Sequence, residues 1–105
     1  MFKHSVYVPS ESAQRVIGLS ERASVLQTVE ESMSRYFGGC TSVEAHGAWL
    51  DANGVLVREH VTIVYSYCEY AEYNGLLSLA LAVKRALSQD SVLYTVESVN
   101  SVTFV

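Results

Sequence analysis

Residues 43–67 read VEAHGAWLDANGVLVREHVTIVYSY, and this stretch predicts a hairpin of two antiparallel strands. The Asn-Gly dipeptide usually forms a two-residue turn, but that turn would pair odd positions with even ones and divide the apolar residues between both faces. A three-residue loop, Ala52 to Gly54, pairs Asp51 with Val55 and keeps positions of equal parity on one face. Gly54 then occupies the third loop position, where a left-handed backbone is needed. The hydrophobic pattern selects this loop, because a slip by one residue would turn every side chain to the other face.

This register separates an apolar odd-numbered face from a mixed even-numbered face. The odd-numbered face carries Val43, Ala45, Gly47, Trp49, Val55, Val57, Val61, Ile63 and Tyr65. The even-numbered face carries Glu44, His46, Ala48, Leu50, Leu56, Arg58, His60, Thr62, Val64 and Ser66. Since helices pack on the apolar side of a sheet, we expect both helices of the protein on the odd-numbered face.

Two helices are predicted by apolar residues at helical spacing on either side of the hairpin. The first begins after an N-cap at Ser20 and ends at Gly38-Gly39, and the second runs to about Ser88. Their apolar stripes are Val25, Val29, Met33, Tyr36 and Phe37 in the first helix and Leu76, Leu79, Ala80, Val83 and Leu87 in the second.

Strands are predicted at both ends of the chain. Phe2 to Val8 alternates and stops at Pro9, while Ser91 to Val105 is β-rich, with a bulge or bend between Ser98 and Ser101. The loop from Ser10 to Ser20 is either a cover for a site or a long connection.

The element order β-α-β-β-α-β predicts an α+β, ferredoxin-like sandwich formed by one domain over residues 1–105. Its four-stranded antiparallel sheet would run final, first, third, second strand, with two helices on one face. The other face and the long final strand, whose one charge is Glu97, would lie open to solvent. Because such surfaces invite pairing with another chain, we expect a homodimer or higher oligomer formed through the sheet.

Composition excludes several classes of partner. The 105 residues carry a net charge of −4, with seven scattered Lys and Arg residues, which argues against a nucleic-acid partner. No signal peptide or membrane span is visible, so a cytoplasmic location is predicted. Cys40 and Cys68 are interpreted as two free, semi-buried thiols, with a disulfide as the alternative. We expect no cofactor, because the chain has no phosphate loop, dinucleotide fingerprint or HExxH motif.

Glu59 is the most informative candidate for catalysis. The register places this carboxylate on the apolar face, opposite Gly47 and one pair from Trp49. Desolvation there should raise its pKa, and Gly47 leaves space above it for a ligand. Glu59 is either a general acid or base in a pocket lined by Trp49 or a structural carboxylate satisfied by hydrogen bonds.

Histidines and tyrosines supply further candidate ligand contacts. His46 and His60 oppose each other on the even-numbered face, and His4 on the neighbouring strand could join them around a metal ion. Their spacing forms no recognised metal motif, so surface or interface histidines are the alternative, and no metal is expected. Tyr65 and Tyr67 belong to an aromatic cluster with Tyr70 and Tyr73, which suits an interface, a small-molecule pocket or ordinary packing.

The pattern Gly38-Gly39-x-Thr41, Gly47-x-Trp49, Gly54 and Glu59 resembles a group of small bacterial proteins of unknown function. Their pattern runs GGxT, GxW, a turn glycine and a Glu in the next strand. Residues 89–93, QDSVL, are similar to the QxSVL of that group. The resemblance implies a ferredoxin-like domain and no particular activity.

Two functions remain as hypotheses from the sequence. The first is a small soluble oligomeric binding or interaction module, favoured by the absence of a catalytic motif and by the open sheet edge. The second is a small dimeric α+β-barrel-type enzyme or ligand-binding protein that uses Glu59 and Trp49, with a histidine, around a pocket. A cavity beside Trp49 would favour the second, and a filled core there would favour the first.

Overall fold

The computed structural model describes residues 1–105 and has the predicted order of elements. The strands are β1 (Phe2–Pro9), β2 (Thr41–Leu50), β3 (Leu56–Cys68) and β4 (Tyr94–Ser98), and the helices are α1 (Leu19–Phe37) and α2 (Asn74–Ala86). All strand pairs are antiparallel, and the sheet order is β2-β3-β1-β4. The predicted ferredoxin-like α+β fold and its strand order are therefore confirmed.

The β2–β3 hairpin has the three-residue loop that the hydrophobic pattern selects. The Asp51 N–H donates to the Val55 carbonyl oxygen at 3.0 Å, and the Gly54 N–H donates to the Asp51 carbonyl oxygen at 3.0 Å. Gly54 has a φ of 77°, the left-handed conformation that glycine adopts without a steric penalty. Gly47 pairs with Glu59, as the predicted register requires.

The helices cover the even-numbered face of the sheet, so the expectation that they pack on the odd-numbered face is wrong. Val64 of β3 is fully buried, whereas Val43 of β2 is 43% exposed. The buried core combines strand and helix residues: Val6, Val8, Val29, Met33, Val64, Leu76, Val83 and Leu87. Larger helix side chains such as Met33 fill the space between the layers, so small sheet residues suffice beneath them. The bulkier odd-numbered residues of the hairpin are left on the helix-free face.

Both helices end and begin close to their predicted limits. α1 starts at Leu19, one residue before the predicted cap, and the Gly18 N–H donates to the Glu21 carboxylate at 3.3 Å. Its last turn closes at Gly38, whose φ is 87°.

The final β-rich stretch forms a strand only over Tyr94–Ser98. Neither helix has the length and apolarity needed to cross a membrane.

The hairpin makes the molecule elongated, with extents of 46 × 28 × 24 Å. Near the loop, side chains of both faces are exposed, including Trp49 at 48% on the odd-numbered face and Leu50 at 67% on the even-numbered face. α1 packs mainly on β3, and α2 packs on β1 and β4. The distal part of the hairpin therefore extends past the helices and stays uncovered on both faces.

Candidate functional site

Glu59 and Trp49 lie together on the helix-free face of the hairpin. Trp49 pairs with Val57, and Glu59 pairs with Gly47 on the adjacent strand. No atom lies within 4 Å of the position that a Cβ on Gly47 would take, so the space above Glu59 is open. The arrangement predicted for these residues is thus present, with Glu59 half-buried at the floor of a cleft.

Two adjoining open clefts of about 590 and 420 Å³ share Trp49 and Glu59 in their walls. The larger is completed by residues 11–13 and 88–91, which come from two loops far apart in the chain. These loops hold each other: the Gln89 side-chain amide donates to the Glu11 carbonyl oxygen at 2.6 Å, and the Ser12 hydroxyl donates to the Ser88 carbonyl oxygen at 2.7 Å. Hydrogen bonding between the loops therefore gives the cleft a fixed wall opposite the hairpin.

The charge in the larger cleft is entirely negative. Glu11, Glu59 and Asp90 line it, and no Lys or Arg lines either cleft. Burial raises the pKa of the Glu59 carboxyl, and the nearby negative charge of Glu11 raises that pKa further. A half-buried carboxyl with a raised pKa can hold and release a proton nearer neutral pH, as a general acid or base must.

His46 and His60 form a separate pair on the even-numbered face. Their ring centroids are 4.3 Å apart and both residues are exposed. His46 borders the smaller cleft, but its ring packs against His60 on the far side of the sheet from Trp49. The structure does not bring this pair to Glu59.

The proposed third histidine lies elsewhere, so the three-histidine arrangement is wrong. His4 is fully buried and pairs with Ser66, six positions along β3 from His60. At 3.3 Å per residue this separation is about 20 Å. The structure contains no group of three or more His, Cys, Asp or Glu side chains that could hold a metal ion.

Tyr65 and Tyr67 occupy the other end of the odd-numbered face. Their rings meet edge to face with centroids 5.8 Å apart, and the Lys3 ammonium lies 4.3 Å from the Tyr65 ring centroid. Tyr65 lies six positions from Glu59 along β3, and neither tyrosine lines the two clefts. Of the predicted ligand-binding residues, only Trp49 shares the floor of the cleft with Glu59.

The sequence predicts part of the loop wall of the cleft. The loop from Ser10 to Ser20 is expected to be either a cover for a site or a long connection, and its residues 11–13 lie in that wall. The other part of that wall, residues 88–91, comes after α2. The QDSVL motif at residues 89–93 is the signal in the sequence that points to it.

Comparison with known proteins identifies a family and a fold. The family model described as "Protein of unknown function (DUF3574)" matches residues 9–104. A phage SAM lyase in complex with S-methyl-5'-thioadenosine superimposes with a TM-score of 0.61 at 15% identity, covering 91% of this chain and 79% of the lyase. The crystal structure of CutA from Pyrococcus horikoshii in the presence of 3 M guanidine hydrochloride superimposes with a TM-score of 0.56 at 14% identity. The match covers 98% of this chain and 88% of CutA. At such low identity these similarities show the fold alone. None of the curated proteins matches the sequence.

Proposed function

This chain belongs to the family of proteins of unknown function DUF3574, and we propose that it is a small homo-oligomeric binding module assembled through its hairpin. The observation that carries the proposal is the distal hairpin, where apolar side chains are exposed on both faces. The largest exposed ones are Trp49, Leu50, Val55 and Leu56. A second copy packed on this surface would remove these side chains from water, which is the main driving force of association.

The position of the hairpin in the sheet supports the same proposal. β2 is an edge strand, and its outer edge has no partner within the chain. Its one carboxylate, Glu44, points toward the helix side, where the Thr62 hydroxyl donates to it at 2.9 Å. β2 contains no Lys or Arg and only this one carboxylate, so its outer edge carries few of the charges that normally discourage strand pairing.

Sedimentation velocity over 1–100 µM protein tests the proposal. Leu56→Arg, on the hairpin, should shift the protein to monomer because a charge would be buried in the contact. Leu77→Arg is the matched control, because Leu77 on α2 is 49% exposed and lies outside the hairpin. A wild-type monomer at 100 µM, or equal effects of the two substitutions, would refute assembly through the hairpin.

A second candidate function is a small-molecule site at Glu59 and Trp49, with or without catalysis. It is favoured by the half-buried carboxyl with its raised pKa and by the cleft beside it. Three carboxylates without a basic residue favour a cationic ligand, and the Trp49 ring can contact the cation or an apolar part of the ligand. The phage SAM lyase, whose fold is similar, was solved in complex with the small molecule S-methyl-5'-thioadenosine, which supports the proposal that a chain of this fold binds a small molecule.

The fluorescence of Trp49, the one tryptophan of the chain, reports binding in this cleft. Tyramine should cause a saturable change, and the carboxylate analogue 3-(4-hydroxyphenyl)propionate should not. Glu59→Gln should weaken the tyramine response, whereas Glu97→Gln on β4 should leave it unchanged. Equal binding of both compounds, or an unchanged response in Glu59→Gln, would exclude the proposed cationic site.

The remaining expectations from the sequence stay predictions. A single domain over residues 1–105, a bacterial origin and a cytoplasmic location are proposed together with the oligomer. Both cysteines are free and half-buried, which agrees with a reducing compartment.

A further inference from the structure

A histidine and a cysteine meet at the end of the sheet farthest from the hairpin loop. The His4 Nε2 atom lies 3.2 Å from the Cys68 Sγ atom and 2.7 Å from the Tyr70 carbonyl oxygen. His4 is fully buried, and its ring stacks on Phe37 with centroids 4.9 Å apart. The two residues are diagonal neighbours on the helix-covered face, because His4 pairs with Ser66.

The contact with Tyr70 identifies the state of the imidazole. A carbonyl oxygen only accepts hydrogen bonds, so the short contact requires a hydrogen on Nε2. This N–H lies within reach of the Cys68 sulfur, and the Tyr70 backbone N–H also points at that sulfur, at 3.4 Å. The His4 Nδ1 atom is buried without a partner, so no other hydrogen bond turns the ring away.

The sulfur therefore accepts from the Tyr70 N–H and shares the His4 Nε2–H with the Tyr70 carbonyl oxygen. In the thiol form its own hydrogen points to the Tyr70 carbonyl oxygen, 3.1 Å away. When that proton leaves to solvent, the shared His4 Nε2–H and the Tyr70 N–H both face the negative sulfur. The thiolate is the nucleophilic form of cysteine, so this geometry favours reaction at Cys68.

An aromatic pocket of about 300 Å³ opens beside the sulfur. Tyr36, Phe37, Tyr70 and Tyr73 line it together with Cys68 and Glu72. Rings on most sides favour a flat, apolar molecule, and the single carboxylate disfavours an anion.

We propose that Cys68 is a nucleophilic thiol, held ready by the His4 N–H, that forms a covalent adduct with uncharged conjugated carbonyl compounds bound in the aromatic pocket. The thiol proton passes to water, and the sulfur electron pair forms a bond to the β-carbon of the conjugated system. The π electrons of the carbon–carbon double bond move toward the carbonyl, and the α-carbon then takes a proton from water. His4 acts here as a positioning residue, and the site is independent of the Glu59 cleft.

Cys40 is the matched control within the same chain. It is also free and half-buried, but its sulfur contacts the Glu30 carbonyl oxygen and the Ser34 hydroxyl, each at 3.6 Å, and no histidine. Both cysteines are thus comparable in burial and differ in their donors and in the neighbouring pocket.

Maleimide alkylation followed by mass spectrometry tests the proposal on the folded variants Cys40→Ser and Cys68→Ser. At pH 7, N-ethylmaleimide should modify Cys68 about tenfold faster than Cys40, the factor expected for a hydrogen bond to a charged group. The ratio of the N-phenylmaleimide rate to the N-ethylmaleimide rate should be larger for Cys68 than for free N-acetylcysteine. Equal alkylation rates at Cys40 and Cys68, or a rate ratio at Cys68 equal to that of N-acetylcysteine, would overturn the proposal.

Two substitutions separate the role of the His4 donor from packing. His4→Gln keeps a side-chain N–H near the sulfur and should retain much of the Cys68 rate, whereas His4→Leu should lower it to the rate of Cys40. Circular dichroism checks that each variant is folded. Equal rates in two folded variants would refute the role of His4, and if neither folds, the comparison of the two cysteines decides.

Discussion

Truncation of Val64 tests which face of the sheet the helices cover. Val64 on β3 is fully buried beneath the helices, whereas Val43, on the adjacent strand β2 and on the opposite face, is 43% exposed. Both residues are valines within β-strands, so Val64→Ala and Val43→Ala remove the same two methyl groups. The pair therefore isolates the effect of burial.

The expected losses follow from the buried area. Each buried methyl group contributes about 0.8 kcal/mol, so Val64→Ala loses about 1.6 kcal/mol in transfer free energy. The cavity left in the packed core brings the total to about 2–3 kcal/mol. Val43→Ala should cost about 0.5–1 kcal/mol, because Val43 is partly in water already and no closed cavity forms. In a domain of this size, the Val64 loss corresponds to a Tm lower by about 10 °C.

Urea unfolding followed by circular dichroism measures both losses through the midpoint concentration. The measurement is repeated at several protein concentrations, because only the exposed Val43 can also take part in a contact with a second copy. The Val64 loss should be independent of concentration. A larger loss for Val43→Ala at the lowest concentration, or equal losses, would show that the helices do not cover the even-numbered face.

Four further outcomes follow from single residues. Burial raises the folded-state pKa of Glu59 above its unfolded value, so the stability of the protein should fall as pH rises through the folded pKa. Glu59→Gln should remove that fall, and urea unfolding at pH 8 should show this variant to be more stable than the wild type. Gly54→Ala should cost about 1 kcal/mol through its left-handed backbone alone, since no atom lies near the added Cβ, and Gly54→Asn should cost less. Burial, followed by the neighbouring Tyr36 phenol, raises the pKa of Tyr73 to about 12, so one phenol should ionise late in an absorbance titration. Gly75→Ala places a methyl group against the Tyr73 ring and should displace it, which would lower that pKa toward the ordinary value of about 10.

Much of the candidate site was readable from the hairpin. The parity of the apolar residues and the position of Gly54 were enough to place Glu59 opposite Gly47 and beside Trp49. These features are local, because a two-stranded register depends on residues within about twenty positions of each other. The same local logic separated His46 and His60 from Trp49 by placing them on the other face.

The loop wall of the cleft and the separate His4–Cys68 pair depend on contacts between distant segments. Glu11 and Gln89 meet only after α2 has returned the chain to the end of β1. His4 belongs to the strand beside β3, as the predicted sheet order required, but the β1–β3 register places it near Cys68 rather than His60. No turn joins these two strands directly, so no local pattern determines that register.

The sequence by itself determined the order of the elements, the hairpin register and the limits of the helices, because each follows from periodicity and turn chemistry among near neighbours. Only the tertiary structure decided that the helices cover small residues such as Thr62, Val64 and Ser66 while Trp49 and Ile63 stay on the helix-free face. The side chains of the helices supply most of the core volume, so the apolar character of a strand face does not by itself determine which face they cover.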